Sequence, residues 1–213
     1  DENECRQMLY TAFQQGGPTA VRYPRGKGIG IEPQVKMQAL EIGKGEVLRE
    51  GNSVAILLFG SLLNEANYVA EAFDATLVNM RFVKPIDESL IASIAESHDL
   101  IITLEDNAIN GGAGSALNEY LNRQAIQIPI INLGIPDEYV EHATREEQLE
   151  EIGLTGEGIV KTVSEFKQGI YSEFLTVNKK NTKKAGGCLL KLYVCFISQI
   201  RLQTSLLHHQ RTT

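Results

Sequence analysis

Two arginines, three residues apart in the run Thr19-Ala-Val-Arg-Tyr-Pro-Arg-Gly26, are the side chains of this sequence best spaced for chemistry. Pro24 fixes its own φ and pushes Tyr23 into an extended conformation, so the backbone is stiff where Arg25 leaves it. A stiffly presented guanidinium clamps a phosphate or carboxylate, because its planar fork makes two parallel charge-assisted hydrogen bonds. The plainer alternative is a surface arginine paired with a carboxylate of its own chain.

A second candidate is the glycine-rich run Asn107-Ala-Ile-Asn-Gly-Gly-Ala-Gly-Ser115. It lies between an apolar strand and a helix, where backbone N–H groups can cradle a phosphate. It has neither Gly-x-Gly-x-x-Gly nor Gly-Lys-Ser/Thr, so a tight turn and close helix packing through Gly111, Gly112 and Gly114 is the stronger reading. Glu105 and Asp106 stand together at a strand end, where a helix cap and an interface contact are expected ahead of acid–base work. His98 follows a helix and suits its C-terminus. His142 is kept as a residue lining an interface. No Ser-His-Asp order, zinc spacing or calcium loop can be assembled, so no catalytic, metal-ligating or cofactor-binding residue is assigned.

The elements that must position these residues can be read from periodicity. Cys5, Met8, Leu9, Ala12 and Phe13 share one face of a helix over residues 1–13. A turn at Gly16-Gly17-Pro18 leads to an expected strand Ala20 to Tyr23, and Gly26, Gly28 and Gly30 begin a flexible linker to about Gln38. Strands are expected at Ala39 to Leu48, Ser53 to Phe59, Thr76 to Val83, Leu100 to Leu104 and Gln127 to Leu133. Helices between them start at Ser61, with the stripe Leu62, Ala66, Val69 and Phe73, at Asp87, and after a loop from Glu105 to Gly114. Two more helices, about Thr144 to Ile152 and Gly156 to Phe166, close the unit. Strands alternating with helices imply an α/β fold with a mostly parallel sheet covered on both faces.

Composition divides the chain. Residues 169–213 carry seven Lys or Arg against one acid, while the first 168 residues have a net charge of -13. An acidic body argues against nucleic acid as a partner. The longest apolar stretch, Cys188 to Ile200, is too short to span a bilayer, so no membrane role is expected. Three scattered cysteines form no disulfide framework, which fits a reducing, cytoplasmic compartment. Residues 169–213 show no clean period and are expected to be a disordered tail.

Taken together, Asp1-Glu-Asn-Glu-Cys-Arg-Gln-Met-Leu-Tyr10, Ala20-Val-Arg-Tyr-Pro-Arg-Gly26, Asn79-Met-Arg-Phe-Val-Lys-Pro-Ile-Asp87, Glu105 to Ser115 and Leu133-Gly-Ile-Pro-Asp137 closely resemble the C-terminal part of the 1-deoxy-D-xylulose-5-phosphate synthase family. The resemblance covers about residues 1–168. It implies a three-layer α/β/α unit over residues 39–167 with a five-stranded, mostly parallel mixed sheet whose first strand is antiparallel. This transketolase C-terminal domain would follow a remnant of a pyrimidine-binding domain and linker in residues 1–30.

The family uses thiamine diphosphate and Mg2+ to decarboxylate pyruvate and join the two-carbon unit to glyceraldehyde 3-phosphate. Its product is a precursor of isoprenoids, thiamine and pyridoxal. The resemblance puts the arginine that holds the substrate phosphate on Arg25. The family's diphosphate, metal and glutamate motifs belong to segments ahead of Asp1. The chain is therefore expected to be a fragment of a homodimeric transferase, binding no cofactor and turning over nothing alone. A free-standing interaction module, or the C-terminal domain of transketolase or of a 2-oxo acid dehydrogenase β subunit, are the alternatives.

Overall fold

The computed structural model describes residues 1–24 and 28–181, with side chains to residue 169. Five strands form one sheet in the order β1-β3-β2-β4-β5: β1 (Glu46–Arg49), β2 (Val54–Phe59), β3 (Thr76–Asn79), β4 (Leu100–Ala108) and β5 (Ile130–Ile135). β1 runs antiparallel to β3 and every other pairing is parallel. Six helices complete the fold: α1 (Glu2–Phe13), α2 (Leu63–Phe73), α3 (Glu88–Ser97), α4 (Ala113–Arg123), α5 (Arg145–Glu151) and α6 (Gly156–Asn181).

The two-residue repeat of the strands builds two cores. Val54, Ile56, Leu58, Leu100, Ile102 and Leu104 face α2, Leu149 of α5 and the first turns of α6. Ala55, Leu57, Phe59 and Ile101 face α3 and α4 on the other side. Both clusters are buried, so the unit is a three-layer α/β/α sandwich as expected. All six residues of β2 are buried, and each large aliphatic side chain so placed contributes about 1.5–3 kcal/mol.

Asp87 caps α3 by accepting from the Leu90 N–H. Burial alone pushes its carboxyl up, but hydrogen bonds from the Ser89 hydroxyl and the Leu90 and Gly45 amides, with the Lys44 ammonium nearby, outweigh this and hold it below the ordinary value. The Gly45 contact also ties the approach to β1 to the start of α3.

Several expectations need correction. Ala20 to Tyr23 forms no strand, because no other strand of the described residues pairs with it. Residues 28–40 form no helix or strand, and several of their amides are bonded to one face of α1. Glu2 accepts from Gly30 at 2.7 Å, Asn3 from Gln34 at 2.8 Å, Gln7 from Gln38, and the Thr11 hydroxyl from Leu40 at 2.8 Å. Those bonds take the Gln38 and Leu40 amides, so the strand expected from Ala39 begins only at Glu46.

The same contacts invert α1. It buries Gln7 and Thr11, while the apolar residues Leu9 and Phe13 are exposed. Glu4 docks the helix on the sheet by accepting from Asn79 at 2.8 Å and from Arg81 at 2.6 Å. Arg81, with φ +56°, also ends β3 four residues earlier than the apolar run suggests.

Ser61 does not cap α2, whose N-cap is Leu62 without a side-chain bond. β4 runs through Ala108, and β5 spans Ile130–Ile135. α6 continues past Gln168 to Asn181, because extending a formed helix costs far less than nucleating one.

Candidate functional site

β2 and β4 are neighbours, yet the chain leaves them towards opposite faces: α2 joins one core and α4 the other. The loops that follow must diverge, and such a point in an open parallel sheet leaves a crevice beyond the carboxyl ends of the strands. Ser61, just after β2, and Asp106, near the end of β4, face each other there, with the Ser61 hydroxyl donating to Asp106 Oδ2 at 3.0 Å.

Arg145 enters from α5 and donates to the same Asp106 oxygen at 2.9 Å and to Ser61 Oγ at 3.1 Å. The position of Arg145 is set by Thr144, which starts α5 with a capping box to Glu147. A cation in the first turn of a helix opposes the helix dipole. Asp106 supplies the compensating charge. A second guanidinium arrives from the N-terminal arm, where Arg22 Nη2 donates to the main-chain carbonyl of Asp106. Asp106 thus meets two arginines, Arg145 at its carboxylate and Arg22 at its main-chain carbonyl.

Arg25, the expected phosphate clamp, lies outside the described residues, as do Gly26 and Lys27. Arg22 brings the segment ahead of it to the carboxyl end of the sheet, against β4. The glycine loop sits beside this point but does not offer its amides. The Glu105 side chain, only 2% exposed as a residue, accepts from the Ala113 N–H at 2.8 Å and the Gly114 N–H at 3.0 Å. The N-terminus of α4 is therefore occupied by the chain's own carboxylate.

Gly111 has φ +74°, the left-handed turn that glycine makes without strain. A Cβ on Gly114 would lie 2.6 Å from Thr103 Oγ1, so its role is close packing of α4 on β4 and β5. Turn and packing, not phosphate binding, account for these glycines, and Glu105 is the helix cap that its position suggests.

His98 closes α3, with Nδ1 3.0 Å from the Ile94 carbonyl and Nε2 2.8 Å from the Thr76 hydroxyl. It is structural. His142 is exposed on the loop before α5, and Cys5 is a free, half-buried thiol. A cleft of about 750 Å³ opens between α4 and the loop around Pro85. Of the three cations that line it, Lys44 and Arg123 are paired with Asp87 and Glu88.

Among the described residues no group of three or more His, Cys, Asp or Glu could hold a metal ion. With the Ala113 and Gly114 amides taken by Glu105, the glycine loop does not offer them to a diphosphate. Nor is any described helix long and apolar enough to cross a membrane.

Sequence reasoning found the Arg22–Arg25 run and the Glu105–Asp106 pair. It missed Ser61 as the hydroxyl of the crevice and Arg145 as its second cation. Arg145 had a readable signal, since Thr144-x-x-Glu147 announces a helix start and so places an arginine where the dipole disfavours it. Ser61 had none, because its role depends on two strands becoming neighbours.

The chain is 57% identical over 168 residues to the 1-deoxy-D-xylulose-5-phosphate synthase of Aeromonas hydrophila subsp. hydrophila, an overlap of 79% of this chain and 27% of that protein. It is 54% identical over 166 residues to the synthase of the same name from Pseudoalteromonas translucida, covering 78% of this chain and 27% of the relative. The chain thus spans about a quarter of the length of the curated relatives it matches.

Among solved structures, a "Split gene transketolase, inactive beta4 tetramer" superposes with a TM-score of 0.55 at 32% identity, over 62% of this chain and 46% of that one. The family described as "Transketolase, C-terminal domain" matches residues 43–159, from the approach to β1 into α6. With more than half of its length in that match, and with the antiparallel first strand and three layers described above, the chain belongs to the transketolase C-terminal domain family.

Proposed function

We propose that this chain supplies the C-terminal part of a thiamine diphosphate-dependent 1-deoxy-D-xylulose-5-phosphate synthase, joining a two-carbon unit from pyruvate to glyceraldehyde 3-phosphate with release of CO2. The observation that carries this reading is the 57% identity to the Aeromonas hydrophila synthase over 168 residues, 79% of this chain. The 32% identity of the split-gene transketolase favours the synthase over transketolase itself.

Thiamine diphosphate and Mg2+ belong, in this reading, to segments other than the described residues, and no chemical step is assigned to a cofactor held here. The contribution of the chain is to bind and orient. Arg25 clamps the phosphate of glyceraldehyde 3-phosphate, and residues 39–167 act as packing and dimer support in a cytoplasmic homodimer. Residues 1–30 form the end of the preceding pyrimidine-binding domain and its linker. Residues 169–213 are an addition outside the family, which is supported by the reversal of charge after Gln168.

The test is a chimaera in which residues 1–168 replace the matching segment of the Aeromonas hydrophila synthase. It should form 1-deoxy-D-xylulose 5-phosphate from pyruvate and glyceraldehyde 3-phosphate. A folded, cofactor-loaded chimaera without turnover would refute the assignment. In the active chimaera, Arg25→Ala should lower kcat/KM for glyceraldehyde 3-phosphate roughly ten- to a hundredfold, the value of one charge-assisted clamp. The KM for pyruvate should stay constant.

A further inference from the structure

We propose that Arg81 is a latch contested by two carboxylates: Glu4 of α1 and Glu46 of β1 compete for its guanidinium, so that Glu46 sets how tightly the sheet domain holds α1.

Three observations carry it. The first is how little else attaches α1. None of its residues joins either core, and among the described residues no strand or helix packs extensively against it. Its buried side chains, Gln7 and Thr11, accept from the amides of Gln38 and Leu40. What reaches the sheet is Glu4, which accepts from Asn79 Nδ2 at 3.0 Å and 2.8 Å and from Arg81 Nε at 2.6 Å.

The second observation is the shape of the clasp. Arg81 lies just past β3 with φ +56°, a left-handed conformation that a residue other than glycine adopts at a cost and keeps only where its surroundings hold it. Its own amide donates to Asn79 Oδ1 at 3.3 Å. The guanidinium is divided: Nε donates to Glu4 and Nη2 to Glu46. Neither carboxylate has the two-point grip that the planar fork allows.

The third observation is charge. Two carboxylates on one guanidinium leave the clasp with a negative charge in excess, and each weakens the hold of the other on the shared cation. When α1 lets go, Arg81 keeps Glu46 and no cation is left unpaired. When α1 docks, Glu4 must take its share of Arg81 from Glu46. A residue of the sheet edge thus governs a helix with which it forms no hydrogen bond or ion pair among the described residues.

The experiment is solvent exchange of the Asn79 side-chain amide protons, followed by NMR in the full chain. These protons report docking, because among the described residues the hydrogen bonds of that amide go to Glu4. Glu4→Gln should speed their exchange about tenfold, the value of lost charge-assisted bonds. Glu46→Gln keeps the shape of the side chain and removes the competing charge, so it should slow the exchange about threefold. The opposite signs are the signature of competition. Exchange that quickens or stays the same in Glu46→Gln overturns the proposal, since Glu46 would then support Arg81 or have no influence on it. Thermal melting of Glu46→Gln should match the parent, because this side chain is 46% exposed and outside both cores. A lower melting temperature also overturns the proposal, by making Glu46 a support of β1 instead of a competitor.

Discussion

Every residue of β2 is buried, whereas α1 buries only Gln7 and Thr11 and leaves Phe13 86% exposed. The sheet domain is held by burial on two faces. The N-terminal arm, residues 1–40, is held by side chains that read backbone amides and by the Glu4–Arg81 and Arg22–Asp106 contacts. Burial is cooperative and lost as a whole, while single hydrogen bonds net only about 0.5–1.5 kcal/mol each and open separately. One chain thus contains a rigid platform and an arm that can be released from it without unfolding it.

The strongest way to sharpen this contrast is to cut a hole in the platform. Ile102 is fully buried on β4, and Ile102→Ala should destabilise the domain by about 2–5 kcal/mol. Chemical denaturation should show one cooperative transition displaced to lower denaturant. A separate transition for the sheet alone would break the picture of a single unit.

Next in size is Glu105→Ala, which strips the Ala113 and Gly114 amides of their acceptor. Each buried amide left unpaired costs about 1–3 kcal/mol. The midpoint should fall and the first turn of α4 should lose hydrogen-exchange protection. A midpoint within error of the parent would mean that water replaces the carboxylate.

Smaller and local is Thr11→Val, which removes the acceptor of the Leu40 amide. The effect should be about 1 kcal/mol, confined to the arm. Exchange at Leu40 should quicken while the denaturation midpoint stays put. A global shift would show that arm and platform are coupled after all.

The smallest effect separates the two regions by pH. Glu2 in the arm is held below its ordinary value of 4.5, chiefly by the Gly30 amide. Asp87 in the platform is held below 3.8, its burial outweighed by hydrogen bonds from Ser89, Leu90 and Gly45. Both carboxyls are depressed, so their stabilisation is complete above the ordinary values and fades as pH falls through the lowered ones. The Gly30 amide resonance should therefore move with the titration of Glu2 below pH 4.5, and Glu2→Gln should abolish that movement. A Gly30 shift that persists in Glu2→Gln would assign the titration to another group.

Legibility from sequence follows the same division. The alternating strands, the Asp87 cap and the two-sided burial of Leu100 to Leu104 could be read directly, because local pattern and tertiary environment agree there. The arm misled for a physical reason. Its Cys5, Met8, Leu9, Ala12 and Phe13 stripe reads as a core face, but the described contacts are made by Asn3, Gln7 and Thr11, equally well spaced at i, i+4 and i+8. Periodicity cannot tell which of two faces is used. The crevice was half legible: the arginine run and the acidic pair stood out, while their meeting with Ser61 and Arg145 depends on strand order, which no local spacing encodes.

Glu105 has one more consequence. A carboxylate carried on β4 and delivered to the first amides of α4 is a tethered ligand, and a tethered ligand enjoys an effective molarity that no diffusible metabolite reaches. Free phosphate would have to displace it and leave a buried negative charge without its donors. The glycine loop is consequently shut to small anions by competition from within.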